Sequence, residues 1–333
     1  DVLGSRGLGD VYKRQPWGWE LHGRYRFEPV VCSAAYIFRL SSYSSFFIVT
    51  FATMHPVYVH IKKELSPFYA EEEASAMAKW ISSDILHLST LELYTGKDMN
   101  FSTKEWAELE DILQRLKQRE PLQYILQETS FCGMSFHVEQ GVLIPRPETE
   151  ELVEWIVSDY REAGQVRILD IGTGSGCIPV SLAQLLPEAQ VSSCDVSAEA
   201  LRIAAMNVKR YGDKVTLFCA DILKEELPEC QVDVLVSNPP YITESERMDM
   251  EANVLDWEPE LALFVPDSDP LRFYRRIARK GLDWLSEEGA LYFEINRAYG
   301  AETVRMLEEL GYRQIELRKD LSGNDRMIKA IRP

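Results

Sequence analysis

Val166-Arg167-Ile168-Leu169-Asp170-Ile171-Gly172-Thr173-Gly174-Ser175-Gly176-Cys177 decides the fold: an apolar run ends in three glycines at alternate positions, and a helical segment begins at once. A buried strand that turns within a few residues into a helix is the opening unit of a parallel sheet. Glycines in such a turn let the backbone take positive φ and approach a ligand closely. As a dinucleotide loop, Gly172 to Gly176 lacks the third glycine, because Cys177 stands there. A Walker loop would need Gly-Lys-Ser/Thr, which is absent. Alone, the loop suits either a nucleotide-like ligand or a tight structural turn.

Outward from this turn the alternation continues. Glu148 to Tyr160 is predicted as a helix, with Pro147 suited to its first position. A helix is predicted from Cys177 to Leu186, and others over Ala198 to Tyr211, Leu271 to Leu285 and Gly300 to Leu310. Strands are predicted over Gln190 to Asp195, Val215 to Ala220, Val232 to Ser237 and Ala290 to Ile295. This order means a mostly parallel sheet covered by helices on both faces. Arg313 to Arg318 and Met327 to Ile331, joined by a turn-rich stretch, read as an antiparallel pair at one edge. Upstream, Ala70 to Leu88 carries Ala74, Met77, Ala78, Ile81, Ile85 and Leu88 on one helical face. Lys104 to Arg119 repeats the pattern behind a Ser102 or Thr103 N-cap, and Phe131 to Val142 alternates like a short hairpin.

Candidate ligand residues gather at the carboxyl ends of the predicted strands, where open α/β sheets hold ligands. Asp195 ends the second strand, where a carboxylate can accept both ribose hydroxyls. Asp221 ends the third, placed either to accept from an adenine amino group, with Ile222 covering the ring, or to cap a helix. Asn238-Pro239-Pro240-Tyr241 follows the fourth. Two prolines fix φ and remove two backbone donors, so the Asn238 side chain and the carbonyls stand as acceptors for a planar NH2, with Tyr241 to cover it. An ordinary Pro-Pro turn is the alternative for those four residues.

Composition narrows the partner. The 333 residues favour two domains, and the formal charge of −17, with no Lys/Arg block, argues against binding through a phosphate backbone. Six scattered cysteines without metal-ligand spacing read as small buried hydrophobes in a reducing, cytoplasmic setting, and no metal is expected. The first 53 residues hold six basic against four acidic residues and show no sustained periodicity, whereas Met54 opens a patterned segment. Residues 1–53 are therefore expected as a non-native or disordered extension. The apolar stretch Val30 to Ala52 leaves a targeting segment as the alternative, interrupted by Arg39 and serines and marginal for a membrane span.

The segment from Glu148 onward resembles class I S-adenosylmethionine-dependent methyltransferases, with Asn238 to Tyr241 matching the Asn/Asp-Pro-Pro-Tyr motif of enzymes that methylate planar amino groups. Pro121-Leu122-Gln123-Tyr124-Ile125, Ile144-Pro145-Arg146-Pro147-Glu148-Thr149-Glu150 and Gly323-Asn324-Asp325-Arg326 are more specifically similar to the peptide chain release factor glutamine N5-methyltransferase family. The resemblance implies an α/β, Rossmann-like class I methyltransferase sheet with an antiparallel C-terminal edge, behind a small N-terminal helical domain. It implies domains at 54–127 (helical, substrate recognition), 128–147 (hairpin linker) and 148–333 (methyltransferase).

It further implies S-adenosylmethionine held by Gly172, Thr173, Gly174, Ser175, Gly176, Asp195, Asp221, Ile222 and Asn238. The acceptor would be the Gly-Gly-Gln glutamine of a class 1 release factor, bound by Asn238, Pro239, Pro240 and Tyr241, with Asn238, Pro239 and Tyr241 serving transfer. No nucleic acid or membrane partner is expected. Three other readings stand beside this one: an N6-adenine methyltransferase, whose acceptor has the same planar geometry, a ribosomal-protein glutamine methyltransferase, and a cofactor-binding interaction module.

Overall fold

The computed structural model describes residues 54–95, 101–224 and 231–333 in full, and the backbone of three strands before them, β1 (Glu28–Cys32), β2 (Ala35–Arg39) and β3 (Phe46–Thr50), which pair antiparallel. Most of 1–53, and with it the expected extension, lies outside the described residues. The chain divides into two compact units between Arg119 and Glu120.

After these three strands, the unit that ends at Arg119 continues as helices: α1 (Pro56–Leu65), α2 (Glu71–Trp80), α3 (Thr90–Thr95) and α4 (Thr103–Lys117). Ser102 and Glu105 form a reciprocal capping box that fixes where α4 begins. Leu109, Ile112, Leu113 and Leu116 fall on its buried face, as their spacing predicts. The helix predicted through Leu88 instead leaves α-geometry at Trp80 and widens into a π-helical turn over Ile81–Ile85.

In the second unit α5 (Leu122–Leu126) leads into a hairpin, β4 (Glu128–Phe131) and β5 (Met134–His137), and then α6 (Pro147–Tyr160). β6 (Arg167–Ile171), α7 (Cys177–Leu185), β7 (Gln190–Asp195), α8 (Ala198–Arg210), β8 (Val215–Cys219) and β9 (Val232–Ser237) follow. β10 (Ile242–Thr243), α9 (Ala252–Trp257) and β11 (Phe264–Val265) form an excursion closed by a short parallel pair. α10 (Arg272–Trp284), β12 (Leu285–Glu294), α11 (Gly300–Glu309), β13 (Arg313–Lys319) and β14 (Asp325–Ile331) complete the chain.

Seven strands form one sheet in the order β13-β14-β12-β9-β6-β7-β8. All neighbours are parallel except the two pairings made by β14. Alternate residues serve opposite faces. Leu169, Ile171, Leu235, Leu291 and Phe293 pack with α10 and α11, while Ile168, Val234, Val236, Ala290 and Tyr292 pack with α6 and α7. Burying side chains of this size contributes about 1.5–3 kcal/mol each, so the strand run in the opening motif is held from both sides. β12 starts at Leu285, five residues before its predicted start. The polar Ser286-Glu287-Glu288 stretch hides its first half, and a register shift between Leu285 and Ala290 accommodates it.

Candidate active site

Chain order leaves β6 with β7 on one side and β9 on the other, so the order reverses at β6. A crevice at this point is the usual ligand site of a doubly wound sheet. Register brings the strand ends level: Ile171 pairs with Cys194 and with Ser237, and Ser237 with Phe293. Gly172, Asp195, Asn238 and Glu294 each follow one of these residues, and all four stand on one rim.

Gly172, Gly174 and Gly176 have φ of 92°, 53° and 82°, a region that favours residues without a Cβ. The amides of Gly172 and Thr173 both donate to the Cys194 carbonyl, at 2.8 and 3.1 Å, which ties the loop to the end of β7. Asp195 Oδ2 accepts from the Gly174 amide and Oδ1 from the Ser197 amide, both at 2.9 Å. Burial raises the Asp195 carboxyl above its ordinary range while these backbone donors oppose it. Beneath the loop, Ser193 Oγ donates to Asp170 Oδ2 at 2.5 Å and lies 2.6 Å from Thr173 Oγ1, and Asp170 Oδ1 has no protein partner.

Asn207 of α8 was not singled out in the sequence. It is fully buried, accepts from the His137 amide at 2.7 Å, and donates to the carbonyls of His137 and Ser175 at 2.9 and 2.8 Å. One side chain thus clamps the hairpin to the glycine loop. His137 takes part as a hairpin residue, through its backbone.

Asp221 occupies the end of the β8 segment, where its Oδ1 accepts from the Leu223 amide at 2.9 Å and its Oδ2 pairs with Lys224 at 3.2 Å. Ile222 beside it is buried in the core with Ala220, Leu271 and Ile277.

Asn238 is half-buried and its Nδ2 donates to Thr149 Oγ1 at 3.2 Å. Thr149 Oγ1 donates onward to Glu294 Oε2 at 2.6 Å, and the Tyr241 hydroxyl donates to Glu294 Oε1 at 3.1 Å. Burial raises the Glu294 carboxyl, and the nearby Arg326 charge opposes that rise. Asn296 Nδ2 donates to the Tyr241 carbonyl at 3.1 Å, and Pro239 is buried. A Cβ on Gly172 would lie 3.8 Å from the Asn238 carbonyl oxygen, so the glycine loop and the proline turn are immediate neighbours.

Three further motifs find their places. Arg146 pairs with Glu258 at 2.5 Å, and Glu258 also accepts from the Ile144 amide at 3.1 Å. The Tyr124 hydroxyl donates to the Val142 carbonyl at 2.5 Å, and Tyr124 packs with Val138, Val142, Ile144 and Ile203. Arg326 Nε donates to Asp320 Oδ2 at 3.2 Å, and the Asn324 amide donates to Asp320 Oδ1 at 2.9 Å. Thr149 and Arg326 both sit inside motifs quoted from the sequence. Glu294 carried only the faint signal of an acid inside an apolar run.

The family described as Methyltransferase small domain matches residues 149–256, and the PrmC N-terminal domain matches 58–126. With the switch-point sheet, this match makes the chain a class I S-adenosylmethionine-dependent methyltransferase. It is 49% identical over 280 residues to the release factor glutamine methyltransferase of Bacteroides thetaiotaomicron, covering 84% of this chain and 100% of that one. The corresponding protein of Flavobacterium psychrophilum is 43% identical over 268 residues (80% and 94% covered), and that of Streptococcus pneumoniae 38% over 259 (77% and 91%). The chain belongs to the release factor glutamine methyltransferase family. No helix among the described residues is long and apolar enough to cross a membrane.

Proposed function

We propose that this protein methylates the side-chain amide nitrogen of the glutamine in the Gly-Gly-Gln motif of class 1 peptide chain release factors, in the cytoplasm. The observation that carries the chemistry is the tethering of Asn238 Nδ2 to Thr149, which leaves Oδ1 and the Pro239 carbonyl as acceptors beside the glycine loop. The relatives' names support the release factor as substrate, and the net charge of −17 disfavours a nucleic acid.

The residues present fit S-adenosylmethionine. Gly172, Thr173, Gly174, Ser175 and Gly176 offer a Cβ-poor cradle, Asp195 offers a carboxylate for ribose hydroxyls, and Asp221 and Ile222 lie toward the adenine end. When bound, the cofactor supplies an electrophilic sulfonium methyl. An amide nitrogen is a poor nucleophile because its lone pair is delocalised into the carbonyl. Asn238 Oδ1 and the Pro239 carbonyl would accept its two hydrogens and favour a pyramidal nitrogen, whose lone pair is then available to the methyl donor. Tyr241 covers the amide plane, and Pro240 keeps the turn rigid. Orientation of this kind supplies up to about 7–11 kcal/mol in model systems. The methylated nitrogen is strongly acidic and releases one proton to water, so no general base is needed beforehand.

Within this reading, residues 54–127 recognise the release factor, 128–147 link, and 148–333 carry out transfer. The test is incubation with methyl-labelled S-adenosylmethionine and a Gly-Gly-Gln peptide, its Gly-Gly-Asn counterpart and an oligonucleotide. Label should enter the first only, and Asn238→Ala should abolish it by orders of magnitude while cofactor affinity stays within a few fold. Label in the oligonucleotide, or full activity in Asn238→Ala, refutes the proposal.

A further inference from the structure

We propose that Glu294 and Thr149 are positioning residues that fix which way round the Asn238 carboxamide is held, by passing hydrogen-bond polarity outward from a buried carboxylate. This deepens the function proposed above and rests on it for its catalytic meaning, though not for its structural content.

The argument follows the protons. Glu294 is 1% exposed and Thr149 3% exposed, so neither exchanges partners with bulk water. The two Glu294 oxygens each face a hydroxyl, Thr149 Oγ1 at 2.6 Å and Tyr241 Oη at 3.1 Å. A carboxylate is an acceptor only, so both hydroxyl protons must point toward Glu294. A threonine hydroxyl has one proton. Once it is given to Glu294, Thr149 Oγ1 offers Asn238 nothing but lone pairs. The group of Asn238 at 3.2 Å from it must then be the NH2, and Oδ1 is turned the other way. Burial raises the Glu294 carboxyl, while the Arg326 charge and the Thr149 and Tyr241 hydroxyls oppose that rise, and the ionised form is the one these two hydroxyl donors face. The carboxamide of Asn238 is nearly symmetric in shape. Packing alone distinguishes its two ends poorly, and hydrogen-bond polarity distinguishes them fully.

The same Glu294 carboxylate holds the Tyr241 hydroxyl, so both ends of the Asn-Pro-Pro-Tyr turn are referred to one buried group on a different strand. Replacing that carboxylate with an amide leaves one acceptor and one NH2 for two hydroxyls. One of them must reverse. A reversed Thr149 points its proton at Asn238, which then presents Oδ1 inward and NH2 to the substrate, where two NH2 groups would face each other.

Three variants and one spectroscopic reading test this. Thr149→Val should lower kcat on the Gly-Gly-Gln peptide by about 100-fold, the scale of a misplaced reactive group, and Glu294→Gln should do so where its NH2 faces Thr149. KM and S-adenosylmethionine Kd should stay within a few fold. Thr149→Ser, which keeps the hydroxyl, should recover most of the kcat lost in Thr149→Val. Independently of any substrate, one Asn238 side-chain NH2 proton, assigned by its loss in Asn238→Ala, should be protected from solvent exchange in the wild type and unprotected in Thr149→Val. Wild-type kcat in Thr149→Val, equal activity of Thr149→Val and Thr149→Ser, or an unprotected wild-type proton each overturns the proposal. If the wild type leaves the peptide unmethylated but shows the protected proton, the proposed acceptor is wrong and the positioning role stands.

Discussion

Removing the Asn207 side chain tests how the ligand rim is held. In Asn207→Ala three hydrogen bonds disappear, one accepted from the His137 amide and two donated to the carbonyls of His137 and Ser175. At about 1 kcal/mol net each, the loss is about 3 kcal/mol, more if the abandoned backbone groups find no water. With a urea m-value of roughly 2–3 kcal/mol/M, that shifts the midpoint down by about 1 M. Asn207→Asp should be worse than Asn207→Ala. It keeps an acceptor for the His137 amide but aims an oxygen at two carbonyls that sit 2.8 and 2.9 Å from the nitrogen it replaces. The assay is urea denaturation of the three proteins side by side, with S-adenosylmethionine titrated calorimetrically. Freed of its anchor on Asn207, the Ser175 segment should bind cofactor several-fold more weakly. A destabilisation below about 1 kcal/mol, or Asn207→Asp matching wild type, would refute the clamp.

Two further outcomes are expected. Asp195→Ala should weaken S-adenosylmethionine binding by about 10- to 100-fold, the worth of hydrogen bonds to a charged group, and unchanged calorimetric affinity would place the ribose elsewhere. Asp170 offers a pH test, because burial pushes its carboxyl up to about 7, with the Asp195 charge adding and the Ser193 hydroxyl opposing. An unfolded aspartate titrates at about 3.9. Between about pH 4 and pH 7 the folded protein therefore keeps a proton that the unfolded chain has released, so stability falls as pH rises through that window and levels off above it. Asp170→Asn removes this slope, and paired urea titrations at pH 4.5 and 7.5 should move in the variant's favour at the higher pH. A pH-independent difference would contradict the raised value.

Much of the sheet could be read directly because central strands such as β6 and β9 are short, mostly apolar runs closed by Gly or by Asn-Pro-Pro. The strand ends at Ile171, Asp195 and Ser237 fall where the sequence puts them. β12 was read short because the polar Ser286-Glu287-Glu288 stretch breaks the apolar signal, while the backbone continues through a register shift. The side-chain network behind Asn238 was invisible for a different reason. Thr149 and Glu294 are 145 residues apart, and Asn207 and His137 are 70 apart. Nothing local in either segment specifies the other, and only the packing of α6 on β12 and of α8 on β5 makes them neighbours. The quoted motifs around Thr149 and Arg326 marked that something was needed there without saying what.

β14 follows the other six strands of its sheet in sequence yet lies inside that sheet, paired on one side with β12 and on the other with β13. During synthesis, β12 therefore offers an open edge, with one row of unsatisfied amides and carbonyls, until β14 has left the ribosome. Arg326, whose charge steadies Glu294, arrives on that same strand. Closure of the sheet and completion of the polar network behind Asn238 are thus a single late event. A nascent or C-terminally clipped chain would be exposed to edge-to-edge aggregation and catalytically immature at the same time.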